Sequence, residues 1–416
     1  MPRIFYALFF LCLTAASVGA EPDWNQFRGP NHDNKCFTTG IAKAWPKGGP
    51  KLLWKIDDLG QGYSNLSFFG DTMFTMGDIG DECLLIAMDR STGQRKWTAV
   101  VGDSGVVGRY YGPRSTPAVD GKRVFGYGQY GDFVCVDMET GKEIWGGDVV
   151  ADLGGRYMNN WGYASSPIFD TVNGEELVLV PVGGDGGTLI AFKKDGKQAW
   201  RTKDLKDPAP YMSIVPATLV GKKQYLLFTG SGLYGVDPDG GGILWGTDRP
   251  SSRPVCSDPV FLDDIVLCAS AYNMGANAYR ISKDGEKFKA DQVYADSKLL
   301  NHHGGIVLHD GHVYMTGERS LFCVDLKTGK IAWENRSVGK GSVTFVDDHL
   351  IVRSETGDGA IALIEATPLE YREKGRFDQP DRSDKNSWTY PVVVDGKMYL
   401  RDQNVLLCYE LKSMIE

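Results

Sequence analysis

The chain has 416 residues, with 45 Lys and Arg against 53 Asp and Glu, a net charge of -8. No basic run is dense enough to follow a phosphate backbone, which excludes nucleic acid as a natural partner. Cysteines are scattered with no CxxC and no adjacent pair, which excludes a zinc framework or an evident disulfide scaffold.

The chain opens with Met1, Pro2 and Arg3, an apolar run from Ile4 to Leu13, and small residues ending at Val18, Gly19 and Ala20. This pattern predicts a secretory signal peptide over 1–20, cleaved after Ala20, because Val18 and Ala20 are the small residues a signal peptidase reads. The run is about half of the roughly twenty apolar residues a membrane span needs, so no span is expected. Cys12 lacks the small neighbours of a lipid-attachment site, and the expected location is secreted or periplasmic. Residues 21–50 read as an N-terminal extension and 51–416 as a single domain.

Within that domain, five segments place tryptophan four residues after glycine: Gly93 and Trp97, Gly141 and Trp145, Gly196 and Trp200, Gly241 and Trp245, Gly329 and Trp333. Asp89, Asp137, Asp237 and Asp325 each stand four residues before the glycine. The unit reads as strand, tight turn and strand. Aspartate and threonine bond the turn backbone, glycine takes the positive φ, and tryptophan anchors the outer strand. Tryptophans 54, 97, 145, 200 and 245 stand roughly 43 to 55 residues apart, near the length of about 40–50 of a four-stranded propeller blade. The gap from Trp245 to Trp333 holds two blades, the first degenerate around Lys283-Asp284-Gly285. A seventh runs through Thr344 to Phe377. An eighth begins at Ser387 and stops at Leu411 after three strands.

Lys51 to Ile56 has the look of an outer strand with its Trp54, yet no blade precedes it. It is expected to close the ring against Asn404 to Tyr409, removing two exposed sheet edges. The predicted fold is therefore all-β, an eight-bladed propeller of four-stranded antiparallel blades. Trp54, Trp97, Trp145, Trp200, Trp245 and Trp333 are read as blade anchors. Cys135, Cys323 and Cys408 share one third-strand position with Ala87 and read as small buried hydrophobes.

The blade motif resembles that of the pyrroloquinoline-quinone (PQQ) repeat propellers, which include quinoprotein alcohol dehydrogenases and the assembly factor of the outer-membrane β-barrel machinery. Four segments are similar to secreted PQQ-like propellers of planctomycete-type bacteria: Trp24 to Asn31, Trp161 to Pro167, Asn301 to Gly305, and Gly375 to Ser383. The superfamily spans enzymes and pure binding scaffolds, so the resemblance implies fold rather than activity.

In such a ring, loops between blades and between second and third strands open on one face, the default site. Arg114, Trp161, Tyr163, Arg253, His302, His303 and Trp388 are the expected ligand-binding residues there, with Tyr111, Tyr211, Ser213, Lys340 and Tyr390 at equivalent positions. Aromatic and cationic groups in this setting suit an anionic, planar or sugar-like ligand. The competing reading is structural, with aromatics wedging strand starts and arginines paired to acids. Neighbours in an extended strand face opposite ways, so only one of His302 and His303 is expected to reach the channel, and no metal site is expected. Gly183 to Thr188 and Glu355 to Gly359 read as tight turns, lacking the ligand count of a calcium loop or the Lys-Ser/Thr of a nucleotide loop. No Gly-x-Ser-x-Gly elbow is present.

Two functions compete: a binding or interaction scaffold for a protein, glycan or small anion, and a dehydrogenase using PQQ with calcium to oxidise an alcohol or sugar. The second lacks the adjacent cysteines that the resemblance implies beside the cofactor and any Cys-x-x-Cys-His for a haem. The chain is also shorter than those enzymes. The scaffold is the expected function, with no catalytic residues assigned and no cofactor expected.

Overall fold

A computed structural model describes residues 21–251 and 253–412. The export signal read in residues 1–20 lies outside them. Among the described residues the secondary structure is all β, and no helix is long and apolar enough to cross a membrane. Eight antiparallel sheets follow one another at 67–103, 118–148, 168–201, 215–246, 260–296, 306–335, 341–378 and 392–410. The last has three strands of its own, and Lys51–Ile56 supplies the fourth. Trp54 opposes Cys408 and Lys51 opposes Glu410, so the ring closes as the sequence predicts.

The repeat motif explains how blades lock. Each anchor faces a small third-strand residue: Trp97 opposes Ala87, Trp145 opposes Cys135, Trp200 opposes Ala191, Trp245 opposes Gly235, and Trp333 opposes Cys323. A β-bulge follows at each position and bends the outer strand there. The ring then covers the turn of the next blade. A β-carbon at Gly141 would lie 2.6 Å from Trp97, and one at Gly241 only 2.5 Å from Trp200. The indole N–H of Trp97 donates to Met138 O at 3.0 Å, that of Trp145 to Lys194 O at 3.0 Å, and that of Trp333 to Thr367 O at 2.8 Å. The turns are held as expected. The Asp89 carboxylate accepts from the backbone and hydroxyls of Ser91 and Thr92, which hold it at about 2, well below the usual range.

The two blades without the motif tryptophan find substitutes. In the fifth, Tyr294 opposes Ala278 and its hydroxyl donates to Leu326 O at 2.9 Å. In the seventh the sizes are exchanged: Leu363 opposes Gly375, and Trp45 from the N-terminal extension lies over that glycine. The apolar core accordingly sits between neighbouring blades, and Trp24 and Cys36 of the N-terminal extension join it.

The centre is filled by residues 24–36. Trp24 O accepts from Phe68 N in the first blade at 2.8 Å, and Asn25 O from Val119 N in the second at 2.8 Å. Gln26 Oε1 accepts from Phe169 N in the third at 3.2 Å. Arg28 crosses to Asp258 at 3.3 Å and to the carbonyl of Ile306 in the sixth blade. Asn34 reaches Val343 O at 2.5 Å, and Lys35–Cys36 pairs in parallel with the inner strand of the seventh. The extension is thus a plug, bonded in turn to inner strands around the ring. Buried Trp24, Arg28 and Asn34 mark it as part of the interior.

Candidate functional site

Above the plug lies a cavity of about 340 Å³ to which all eight blade junctions contribute. Below the junction loops a hydrogen-bonded belt fixes their spacing. Asn65 N donates to Thr116 Oγ1 at 3.2 Å, Thr116 N to Ser166 Oγ at 2.9 Å, Ser166 N to Ser213 Oγ at 2.9 Å, and Ser213 N to Asp258 Oδ1 at 2.8 Å. The inner strands of the first five blades therefore begin at heights set by their neighbours, and the side chains just before them converge on the mouth.

Seven rings form a continuous arc along the wall. Trp161 packs on Tyr110 at 5.6 Å, and Tyr110 on both Tyr63 and Trp388, at 5.9 and 4.6 Å. Tyr63 meets Trp388 at 4.3 Å, and Trp388 meets His303 at 4.4 Å. His303 lies on His302 at 3.6 Å, and His302 on Tyr272 at 5.0 Å. Phe27 of the plug stacks on Tyr390 at 5.4 Å beneath them. Trp388 is positioned from below: Arg353 donates to Thr389 Oγ1 at 2.8 Å, while Arg382 joins Asp402, at 2.6 Å, to Ser387.

Three cationic or acidic side chains sit in the same wall. The Arg114 guanidinium donates to Val107 O at 3.0 Å and Tyr110 O at 3.1 Å, shaping the loop between the first two blades, and has no ion pair among the described residues. Lys340 Nζ donates to His302 Nδ1 at 3.0 Å and lies 3.7 Å from Glu355 Oε2. Burial opposes ionisation of Glu355, yet His303 and Lys340 hold its carboxyl below the usual range. Burial, reinforced by His303 and Lys340, lowers His302 to about 2. Burial also lowers His303. Both imidazoles are neutral at physiological pH.

Of the expected site residues, Arg114, Trp161, His302, His303 and Trp388 line the cavity, together with Tyr211, Lys340 and Tyr390. Tyr163 does not: positive φ at Gly162 breaks the strand alternation, and the buried Tyr163 hydroxyl donates to Val182 O at 3.1 Å. Arg253 is exposed outside the cavity, its guanidinium over Tyr272 at 5.4 Å. Tyr110 takes the place expected of Tyr111, which is exposed. The expectation that only one histidine faces the channel is also corrected. Residues 301–304 are not a strand, and buried Asn301, bonded to Gly305 O and Thr316 O at 3.0 Å each, turns both rings inward. Sequence reasoning missed Tyr63, Tyr272, Cys256 and Glu355. Cys256 carried a usable signal, as it falls at a blade junction rather than in a third strand.

Calcium takes about six to eight oxygen ligands, and for these the wall offers one carboxylate, Glu355, which lies 3.7 Å from Lys340, and the amides of Asn65 and Asn386. The described cysteines are free, and Cys256 is the one at the cavity.

Comparison with known proteins agrees with the ring. The family model described as outer membrane protein assembly factor BamB matches residues 81–335 and again 296–371. Quinohemoprotein alcohol dehydrogenase from Comamonas testosteroni superposes with a TM-score of 0.62 at 12% identity, covering 95% of this chain and 81% of that one. BamB from Moraxella catarrhalis does so with 0.58 at 14%, covering 87% and 99%. The computationally designed Ika8 protein gives 0.57 at 10%, covering 86% and 99%. At these identities the likeness is one of fold. No curated protein matches significantly.

Proposed function

Because the chain belongs to the family of outer membrane protein assembly factor BamB, we propose that it works by binding, and that its channel mouth holds a sugar-like or planar molecule carrying a carboxylate. The observation that carries this reading is an arc of seven rings beside Arg114, a guanidinium that no carboxylate neutralises among the described residues. Ring faces stack on the apolar face of a pyranose or a planar acid, and a guanidinium held by backbone carbonyls but paired with no described carboxylate selects the anionic end. The volume lies in the range of about 300–1,000 Å³ usual for small-ligand sites. On this reading residues 1–20 direct export and 51–416, with the plug supplied by 21–50, form the binding domain.

The test is calorimetric titration of the purified protein with an oligosaccharide ending in a uronic acid, against its neutral counterpart. The acidic sugar is expected to bind more tightly. Trp388→Ala is expected to weaken it by about 1–3 kcal/mol, as for a buried aromatic anchor. Equal affinity for both sugars, or none for either, refutes the reading and leaves a protein partner as the occupant of the mouth.

A further inference from the structure

We infer that Cys256, His302 and His303 form a binding site for a thiophilic d10 cation, Zn²⁺ or Cu⁺. One donor atom from each lies within 4.8 Å of the others. The donors come from adjacent blade junctions, and those loops are tied together: Ser257, next to Cys256, donates to His302 O at 2.9 Å and to the Asn301 side chain. Closing to metal bonds of about 2.0–2.3 Å takes roughly 1 Å of side-chain movement.

The donor types support the assignment, the two imidazoles being ready to ligate while the thiol must first give up its proton. Neutral imidazoles offer a lone pair without first losing a proton. His303 Nδ1 is buried without a hydrogen-bond partner, its nearest acid being Glu355 Oε2 at 3.6 Å. Cys256 is free, and burial pushes its thiol up to about 12, with Lys340 opposing. Two nitrogens and a sulfur favour zinc or copper(I) over calcium or magnesium. Binding exchanges the S–H proton for an S–metal bond and releases that proton to solvent. The affinity therefore rises about tenfold per pH unit below the thiol's range. A d10 ion imposes no geometry of its own, and the fourth position stays open to the cavity. Lys340 opposes a cation at His302, but Glu318 and Glu355, 3.5 and 3.7 Å away, can draw it aside.

The experiment uses the full chain, reduced and freed of metal, with no saccharide present, so it stands or falls apart from the ligand reading. Zn²⁺ is titrated against a chromophoric chelator, Cu⁺ against bicinchoninate, and Co²⁺ serves as an optical probe. One ion per chain is expected, with a thiolate-to-cobalt absorption band and about one proton released. Cys256→Ser should abolish the band and weaken binding at least about tenfold, and His303→Gln should weaken it similarly. Lys340→Met should tighten it, an outcome no folding defect produces, and His312→Gln should change nothing. Absence of stoichiometric binding, or unchanged affinity in Cys256→Ser and His303→Gln, overturns the site.

Discussion

Replacing Arg28 by Met tests whether the plug is part of the stable fold. The Arg28 and Asp258 side chains are 0% and 3% exposed. Removing one partner of a buried pair costs about 3–5 kcal/mol, because the other charge is left without compensation. Asp258 keeps the Ser213 N–H at 2.8 Å, which places the loss at the lower end, about 3 kcal/mol. The backbone of Arg28, at φ 63°, is common to both proteins and drops out of the comparison. Burial already raises Asp258, against the pull of Arg28 and Ser213, and loss of the guanidinium raises it further. An acid raised in the folded state holds protons that the unfolded chain has released, so the variant's deficit grows as pH rises and shrinks on acidification. Guanidinium unfolding at pH 7 and pH 5, with hydrogen exchange over residues 24–34, reads both quantities. Asp258→Asn in the Arg28→Met background removes the unpaired charge and is expected to recover part of the loss. A deficit below about 1 kcal/mol at pH 7, or a double variant no more stable than the single one, would refute the reasoning.

Gly141→Ala places a methyl 2.6 Å from Trp97 and is expected to cost more than Gly285→Ala, which shares a positive φ but meets open space. Calorimetric melting should separate the two by about 1–3 kcal/mol; equal losses would mean that the turn does not lock the blades. Acidification tests the histidines. His302 is lowered to about 2, and His32 is lowered to about 4 by burial, then by Arg28. Below about pH 6.5 the unfolded chain takes up protons that the folded one does not, so urea midpoints should fall from pH 7 to pH 5. His302→Gln should flatten that fall by about 2 kcal/mol, and parallel pH curves for variant and parent would contradict the assigned neutral state.

The ring was legible because its lock is local. Aspartate, glycine and tryptophan occupy one turn, and Trp54, Trp97, Trp145 and Trp200 each pack on the same turn one blade on. Tyr294 and Trp45 escaped because each restores an anchor by other means, a longer hairpin in one case and a distant segment in the other. The plug was opaque for the opposite reason. Residues 24–36 have no period, and Arg28 and Asn34 bond to groups more than two hundred residues away. At the mouth, strand starts could be found from the turns, but direction could not. A positive φ at Gly162 and the irregular path of 301–304 decide which side chains face inward, and they sent Tyr163 away while bringing both histidines together.

The plug and the closing strand are synthesised first and can be placed only last. Arg28 waits for Asp258 and Ile306, Asn34 for Val343, and Lys51–Ile56 for a strand ending at Glu410. Until then the inner face of seven blades is open, and the eighth lacks an edge partner, the condition that invites pairing with another chain. Contacts of such sequence separation are slow to form, since the loop must close before any bond rewards it. Ring closure is therefore the step at which folding and aggregation compete, and a chain stopped short of residue 405 cannot complete it however well its first seven blades are built.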